Sequence, residues 1–232
     1  MLIPLNRMKE FLRYKVTYSI IAINSVVYLF SAFFSGSITD MDMQVLVDMG
    51  ALYGPLTVLK GEWWRLFTAM FLHGGMTHIL MNMVSLYIIG RGMEMYFDTK
   101  SYLSIYLFSG LLGGLVSLYI HPASVGIGAS GAIFGVFGAL AGFFIAHRKH
   151  LGKHTKAFMK EFTVIIVINL VIGFSIPNVD VSAHVAGTVV GFIGGYLLSK
   201  DPKFIGIYSG LMVLLMLAIM AYLPTMYVQT FT

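Results

Sequence analysis

A single serine, Ser130, stands between Ala129 and Gly131 in the uncharged run VGIGASGAIFG at residues 125–135. A serine hydroxyl is a poor nucleophile until a base takes its proton. His184, in DVSAHVAGTVV, is the natural base, and the same imidazole can return the proton to a leaving amine. His78 and Asn82, in HILMN, are one helical turn apart and share a face. Both can donate hydrogen bonds. Ser130 at the start of a helix would sit in the positive end of its dipole, so its backbone N–H, with His78 and Asn82, would make an oxyanion hole. Gly128 would leave room for a substrate backbone to come close, and Phe134, one turn below Ser130, would form a floor for the imidazole. Asp180 precedes His184 by four residues and reads as a helix-start charge, which makes a dyad the expected arrangement. These residue types point to acyl transfer through a serine.

Each residue also has a plainer reading. Serine beside glycine in a membrane helix is ordinarily a packing residue, a solitary histidine is ordinarily satisfied by a backbone carbonyl, and Asn82 can bond across helices. The elements that carry these residues decide between the two. The chain has 232 residues, 58% hydrophobic and 11% charged. A soluble domain carries about 25% charged residues, so this composition belongs to a polytopic membrane protein. With no cysteine, disulfides, thiolate chemistry and cysteine-ligated zinc are excluded. No cofactor or metal is expected.

A span needs about 20 mostly apolar residues. Seven are expected, near 16–34, 76–96, 102–120, 129–146, 161–176, 181–199 and 204–223. Residues 1–15 form a basic tail ahead of the first, which reads as a retained helix because no clear A-x-A site follows it. Thirteen of the fifteen Lys and Arg fall in one alternating set of connections, leaving only Lys60 and Arg65 in the other. By the positive-inside rule the N-terminus is cytoplasmic and the C-terminus outside. The basic excess is therefore a topology signal and not a nucleic-acid patch. The one long connection, loop 1 at 35–75, carries apolar residues and Trp63–Trp64, which places it in the membrane interface.

In this orientation the second, fourth and sixth spans all enter from the outer face. His78 with Asn82, Ser130 and His184 stand near their starts, at one depth. Polar side chains within a span are costly and face the bundle interior or a wet cavity. The fourth span also carries Gly131, Gly135, Gly138 and Gly142, and the sixth Ala183, Gly187, Gly191 and Gly195. Small residues at such spacing let two backbones approach closely. If those faces meet, Ser130 comes within reach of His184.

The three motifs GASGAIFG, AHVAG and HILMN together resemble the rhomboid intramembrane serine proteases, with G-x-S-G, A-H-x-x-G and H-x-x-x-N on the matching spans. Trp64–Arg65, His73 and Glu94 in GRGMEMYF are further points of likeness, and the resemblance covers roughly residues 16–199. It implies an all-α membrane fold, with a six-helix core at 16–199 and an extra C-terminal helix and short outer tail at 200–232. It also implies a Ser130–His184 dyad, with oxyanion stabilisation by His78 and Asn82. Gly128, Gly131, Phe134 and Gly187 would support the site by packing. Trp64–Arg65 would belong to a structured loop 1, and Glu94 to a network holding the second helix and that loop. The implied substrates are single-span membrane proteins, cut in or near the outer part of the span, with small residues at the cut and helix-destabilising residues after it. The loop between the fifth and sixth spans would act as a cap, and the second and fifth helices would border lateral access. The six-plus-one arrangement implies a bacterial plasma membrane. Two rival readings are a catalytically idle rhomboid-like binder of membrane proteins and, less favoured, a small-solute transporter. The transporter reading suffers because the polar cluster is shallow and one-sided, with no inverted repeat. The physiological substrate and the oligomeric state are not legible.

Overall fold

The computed structural model describes residues 12–152 and 180–231, and within them nearly all regular structure is helical. Helix α1 spans Lys15–Ser35 and ends where Gly36 turns left-handed at φ 65°. Loop 1 then folds into α2 (Met43–Asp48), β1 (Leu52–Tyr53), a π-turn (Pro55–Leu59), α3 (Arg65–Thr68) and a 3₁₀ turn (Ala69–Phe71). The long helices α4 (Met76–Tyr96), α5 (Thr99–Ile120), α6 (Ser130–His147), α7 (Val181–Leu198) and α8 (Ile205–Phe231) follow, with β2 (Val125–Gly126) between α5 and α6.

Aspartates start several of these helices by taking up N–H groups that have no intrahelical partner. Asp42 accepts from Gln44 and Val45, Asp98 from Lys100 and Ser101, and Asp180 from Ala183. The Asp98 cap sets the start of α5 at Thr99, three residues ahead of the expected 102. Helix α8 differs more: it runs through Pro224 to Phe231, where the sequence suggested an end at 223. A helix survives one proline when burial of the next turn outweighs the lost bond, and Tyr227 on that turn is fully buried.

Among the described residues, five helices are long and apolar enough to cross a membrane, namely α1, α5, α6, α7 and the stretch Pro202–Phe231. The protein is a multi-pass, all-α membrane protein. Helix α4 has a similar length but carries His78, Asn82, Arg91 and Glu94, and several of its polar groups are bonded inside the protein or within the helix. The expected fifth span at 161–176, the cap loop after it and the first part of the basic tail lie outside the described residues.

The bundle closes tightest where α6 meets α7. A methyl carbon on Gly187 would strike the carbonyl oxygen of Gly131, one on Gly191 that of Gly135, and one on Gly195 that of Ala139. From the other side, Gly138 faces the carbonyl of Thr188 and Gly142 that of Phe192. The two backbones are in contact along about three turns, with no room for side chains at these positions. In lipid such dispersion contact, and not hydrophobic transfer, holds helices together. Helix α5 packs into the same junction, since a Cβ on Gly113 would lie 2.9 Å from the carbonyl oxygen of Ala183.

Loop 1 is a packed part of the molecule. Arg65, 5% exposed, donates to the carbonyls of Val47 (2.6 Å) and Ala51 (3.1 Å) and to Glu62 (2.6 Å). Its guanidinium also lies over the exposed Trp64 ring at 4.8 Å. Trp63, by contrast, packs against the core. Strand β1 pairs antiparallel with β2, Leu52 with Gly126 and Tyr53 with Val125.

Candidate active site

The close α6–α7 register brings the first turns of both helices together. Ser130 is the first residue of α6, and its Oγ lies 2.8 Å from Nε2 of His184 in the first turn of α7. The imidazole is 8% exposed and stacks on Phe134, with ring centroids 4.3 Å apart and planes 19° from parallel. Its Nδ1 has no hydrogen-bond partner among the described residues. Asp180 is spoken for elsewhere: it caps α7 through the Ala183 N–H at 3.1 Å, takes the Ser182 hydroxyl, and lies 4.0 Å from His121 Nε2. Burial acts to raise the Asp180 pKa. The hydrogen bonds from Ser117, Ser182 and Ala183, with the nearby His121, outweigh it and hold the carboxyl below the usual range.

Gly128 precedes this helix start with φ 114°, a conformation that disfavours any other residue. The space beside it is taken by a protein side chain. A Cβ there would lie 2.8 Å from His78 Nε2, so the glycine lets the His78 ring come close. The turn is held by its own N–H bonded to the Ala69 carbonyl at 2.9 Å. His78 Nδ1 accepts from the Gly74 N–H at 3.4 Å, which leaves the ring proton on Nε2, facing the turn before Ser130. Asn82 is 7% exposed and gives one amide hydrogen to the His78 carbonyl at 2.9 Å, leaving its second to donate elsewhere.

Beside Ser130 lies a cavity of about 60 Å³, walled by Met70, Gly110, Gly114, Ser117, Gly131 and Asp180 among others. Sequence reasoning missed the walls from α5 and loop 1. The pair Gly110 and Gly114 in SGLLGGL carried the same small-residue spacing that identified α6 and α7. The two-residue β1–β2 pairing had no comparable signal, because it is too short to show a period.

Glu94 stands apart from the other candidates. Its carboxylate accepts the N–H groups of Val16 (3.0 Å) and Thr17 (2.8 Å), so it caps α1 and does not hold loop 1. A carboxylate near a helix N-terminus is favoured by the free N–H groups and the dipole, and among the described residues the Tyr14 side chain does not cap α1. Loop 1 is organised instead by Arg65.

The rhomboid-domain family model matches residues 60–201. The chain is 35% identical over 187 residues to "Rhomboid protease GluP" of Bacillus subtilis (strain 168), covering 81% of this chain and 35% of that protein. It is 40% identical over 161 residues to "RHOMBOID-like protein 5" of Arabidopsis thaliana, covering 68% and 51%. It is 31% identical over 202 residues to "Putative rhomboid protease YdcA" of Bacillus subtilis (strain 168), covering 86% and 94%. The chain thus spans about a third to a half of the length of the first two relatives, and nearly all of the third. With a family model over more than half of its length, and a relative matched almost end to end, the chain belongs to the rhomboid family.

Proposed function

We propose that the protein is an intramembrane serine endopeptidase that cuts single-span membrane proteins in or near the part of the span at the Ser130 end of the bundle. The observation that supports it most is the 2.8 Å contact between Ser130 Oγ and His184 Nε2, two groups on different helices, with Ser130 lining a small cavity. His184 accepts the Ser130 proton as the hydroxyl attacks the scissile carbonyl. The Ser130 backbone N–H, His78 Nε2–H and the second amide hydrogen of Asn82 meet the negative charge that forms on the carbonyl oxygen. His184 then protonates the leaving amine, and water, activated by the same imidazole, releases the acyl group from Ser130. Phe134 holds the ring face in the role a third acid fills elsewhere.

The charge distribution supports a cytoplasmic N-terminus and an outer C-terminus, and on that reading Ser130 lies near the outer leaflet; the six-plus-one resemblance supports a bacterial plasma membrane. The test is incubation of the purified protein with a panel of single-span substrates, comparing wild type with Ser130→Ala and His184→Ala. Product from the wild type alone is expected. Equal product from all three would refute the assignment, and labelling by a serine-directed phosphonate that survives Ser130→Ala would refute the nucleophile.

A further inference from the structure

Helix α8 touches the rest of the protein along a narrow stripe. Tyr208, Met212, Leu223 and Tyr227 are buried, while Ile207, Leu211, Leu214, Leu217 and Val228 are exposed. Two of the four buried residues are tyrosines with no exposed surface. A buried hydroxyl costs free energy unless bonded, and phenylalanine would pack as well without that cost. The hydroxyls therefore have a local use. Tyr208 directs its hydroxyl to the Val190 carbonyl on α7 at 3.5 Å, and its ring fills the space beside Gly194.

Tyr227 binds at the opposite end, next to the turn that leads to Ser130. Its hydroxyl donates to the carbonyl of Leu118 at 2.8 Å and lies 3.3 Å from that of Pro122. Leu118 is in the last turn of α5, where carbonyls lack intrahelical partners. Pro122 belongs to the connection that becomes β2, then Gly128, then Ser130. Gly54, directly after β1, faces the same spot: a Cβ there would strike the Pro122 carbonyl oxygen and the Tyr227 hydroxyl, and would lie 2.6 Å from Tyr227 Cε1. One phenol thus closes a seam between three segments, namely the end of α5, the strand of loop 1 and the connection to Ser130.

We infer that Tyr227 is a positioning residue: through its hydroxyl, α8 sets the place of the β1–β2 pair and hence of the turn before Ser130. This deepens the proposed protease function and rests on it for the catalytic consequence, but the seam itself does not. The residue touches neither the dyad nor the oxyanion donors. It acts through the Val125–Gly128 backbone, which is held by the β1–β2 pairing and by the bond from the Gly128 N–H to Ala69.

The experiment compares the full chain, in detergent micelles, with Tyr227→Phe, with Gly54→Ala and with Tyr222→Phe, whose tyrosine is exposed. Amide hydrogen exchange is read across residues 121–130. Losing the hydroxyl should speed exchange at Val125–Gly128 by about two- to tenfold, the range expected for one hydrogen bond, with α6 and α7 at the His147 end unchanged. Gly54→Ala should act on the same residues, and the double variant should be less than additive. In the cleavage assay Tyr227→Phe should lower kcat several-fold, leave KM within twofold and slow phosphonate labelling. Tyr222→Phe should change none of these. Unchanged exchange at 121–130 in Tyr227→Phe overturns the inference, as does a fall in thermal stability with wild-type kcat. Faster local exchange in a protein that cleaves no substrate supports the seam and instead defeats the proposed function.

Discussion

Replacing Gly191 by alanine tests the packing on which the dyad depends. In an isolated helix interior, alanine is favoured over glycine by about 0.8–1 kcal/mol, so a loosely packed α7 would be stabilised. In this structure the new Cβ would lie 2.6 Å from Cα of Gly135 and still closer to its carbonyl oxygen. Ordinary carbon contacts are about 3.5–4.0 Å, so α6 and α7 must separate by about 1 Å locally. Overpacking of this kind costs about 1–3 kcal/mol, enough to reverse the sign of the propensity gain. Gly191 lies two turns below His184. If the displacement is carried along the rigid helix, the Ser130–His184 contact opens from 2.8 Å to beyond hydrogen-bonding range. General-base assistance is worth about 10²–10⁴ in rate, so even partial opening should lower kcat by tenfold or more. Cleavage of a single-span substrate gives the rate, and thermal unfolding in detergent gives the stability. A variant that is more stable than wild type, and equally active, would show that the backbones are not in contact and would remove the basis for the dyad geometry.

Three further outcomes follow from the same structure. Asn82→Ala should reduce kcat by about tenfold, less than the 10²–10³ typical of a single oxyanion donor, because His78 and the Ser130 N–H remain; unchanged kcat in both Asn82→Ala and His78→Ala would remove these residues from the site. Glu94→Ala should destabilise the protein by about 0.5–2 kcal/mol, the usual worth of a helix cap, with KM unchanged; a shift in KM without loss of thermal stability would place Glu94 in loop 1 organisation after all. Asp98 and Asp180 have pKa values held below the usual value of 3.8, so each contributes stability above that pH and loses it as pH falls through the lower folded value. For both, burial acts upward and is outweighed by hydrogen bonds from their caps and serine neighbours. An Asp98→Asn, Asp180→Asn double variant should therefore lose less stability than wild type between pH 5 and pH 3, as followed by thermal unfolding; parallel curves would contradict the capping roles.

What was legible in the sequence came from local and periodic signals. The spans that the structure describes appeared as apolar runs, and the small residues three or four apart on two of them allowed a close helix pair if those faces met. Ser130 and His184 stood out as candidates because two helix starts carry reactive side chains at one depth. Signals without a period were misread. Glu94 looked like a partner for loop 1, yet it caps α1, which comes near only through the fold. Nothing in the spacing showed that Gly128 also makes room for the His78 ring. The sequence suggests an end to helix α8 at 223, because the energy that carries it onward is the burial of Tyr227 against α5, a contact between residues 109 positions apart.

Composition, charge alternation and small-residue spacing are local properties, each set by a residue and its near neighbours in the chain, and they sufficed for an all-α membrane chain with a serine and a histidine at matching depth. Which helix faces touch, how closely, and what fills the space beside Gly128 depend on contacts between distant segments, each a small difference between close packing and steric overlap. Only the folded bundle decides those. The 2.8 Å between Ser130 and His184 is of that kind, since it follows from glycines on two helices meeting in one register out of several that the spacing alone allowed.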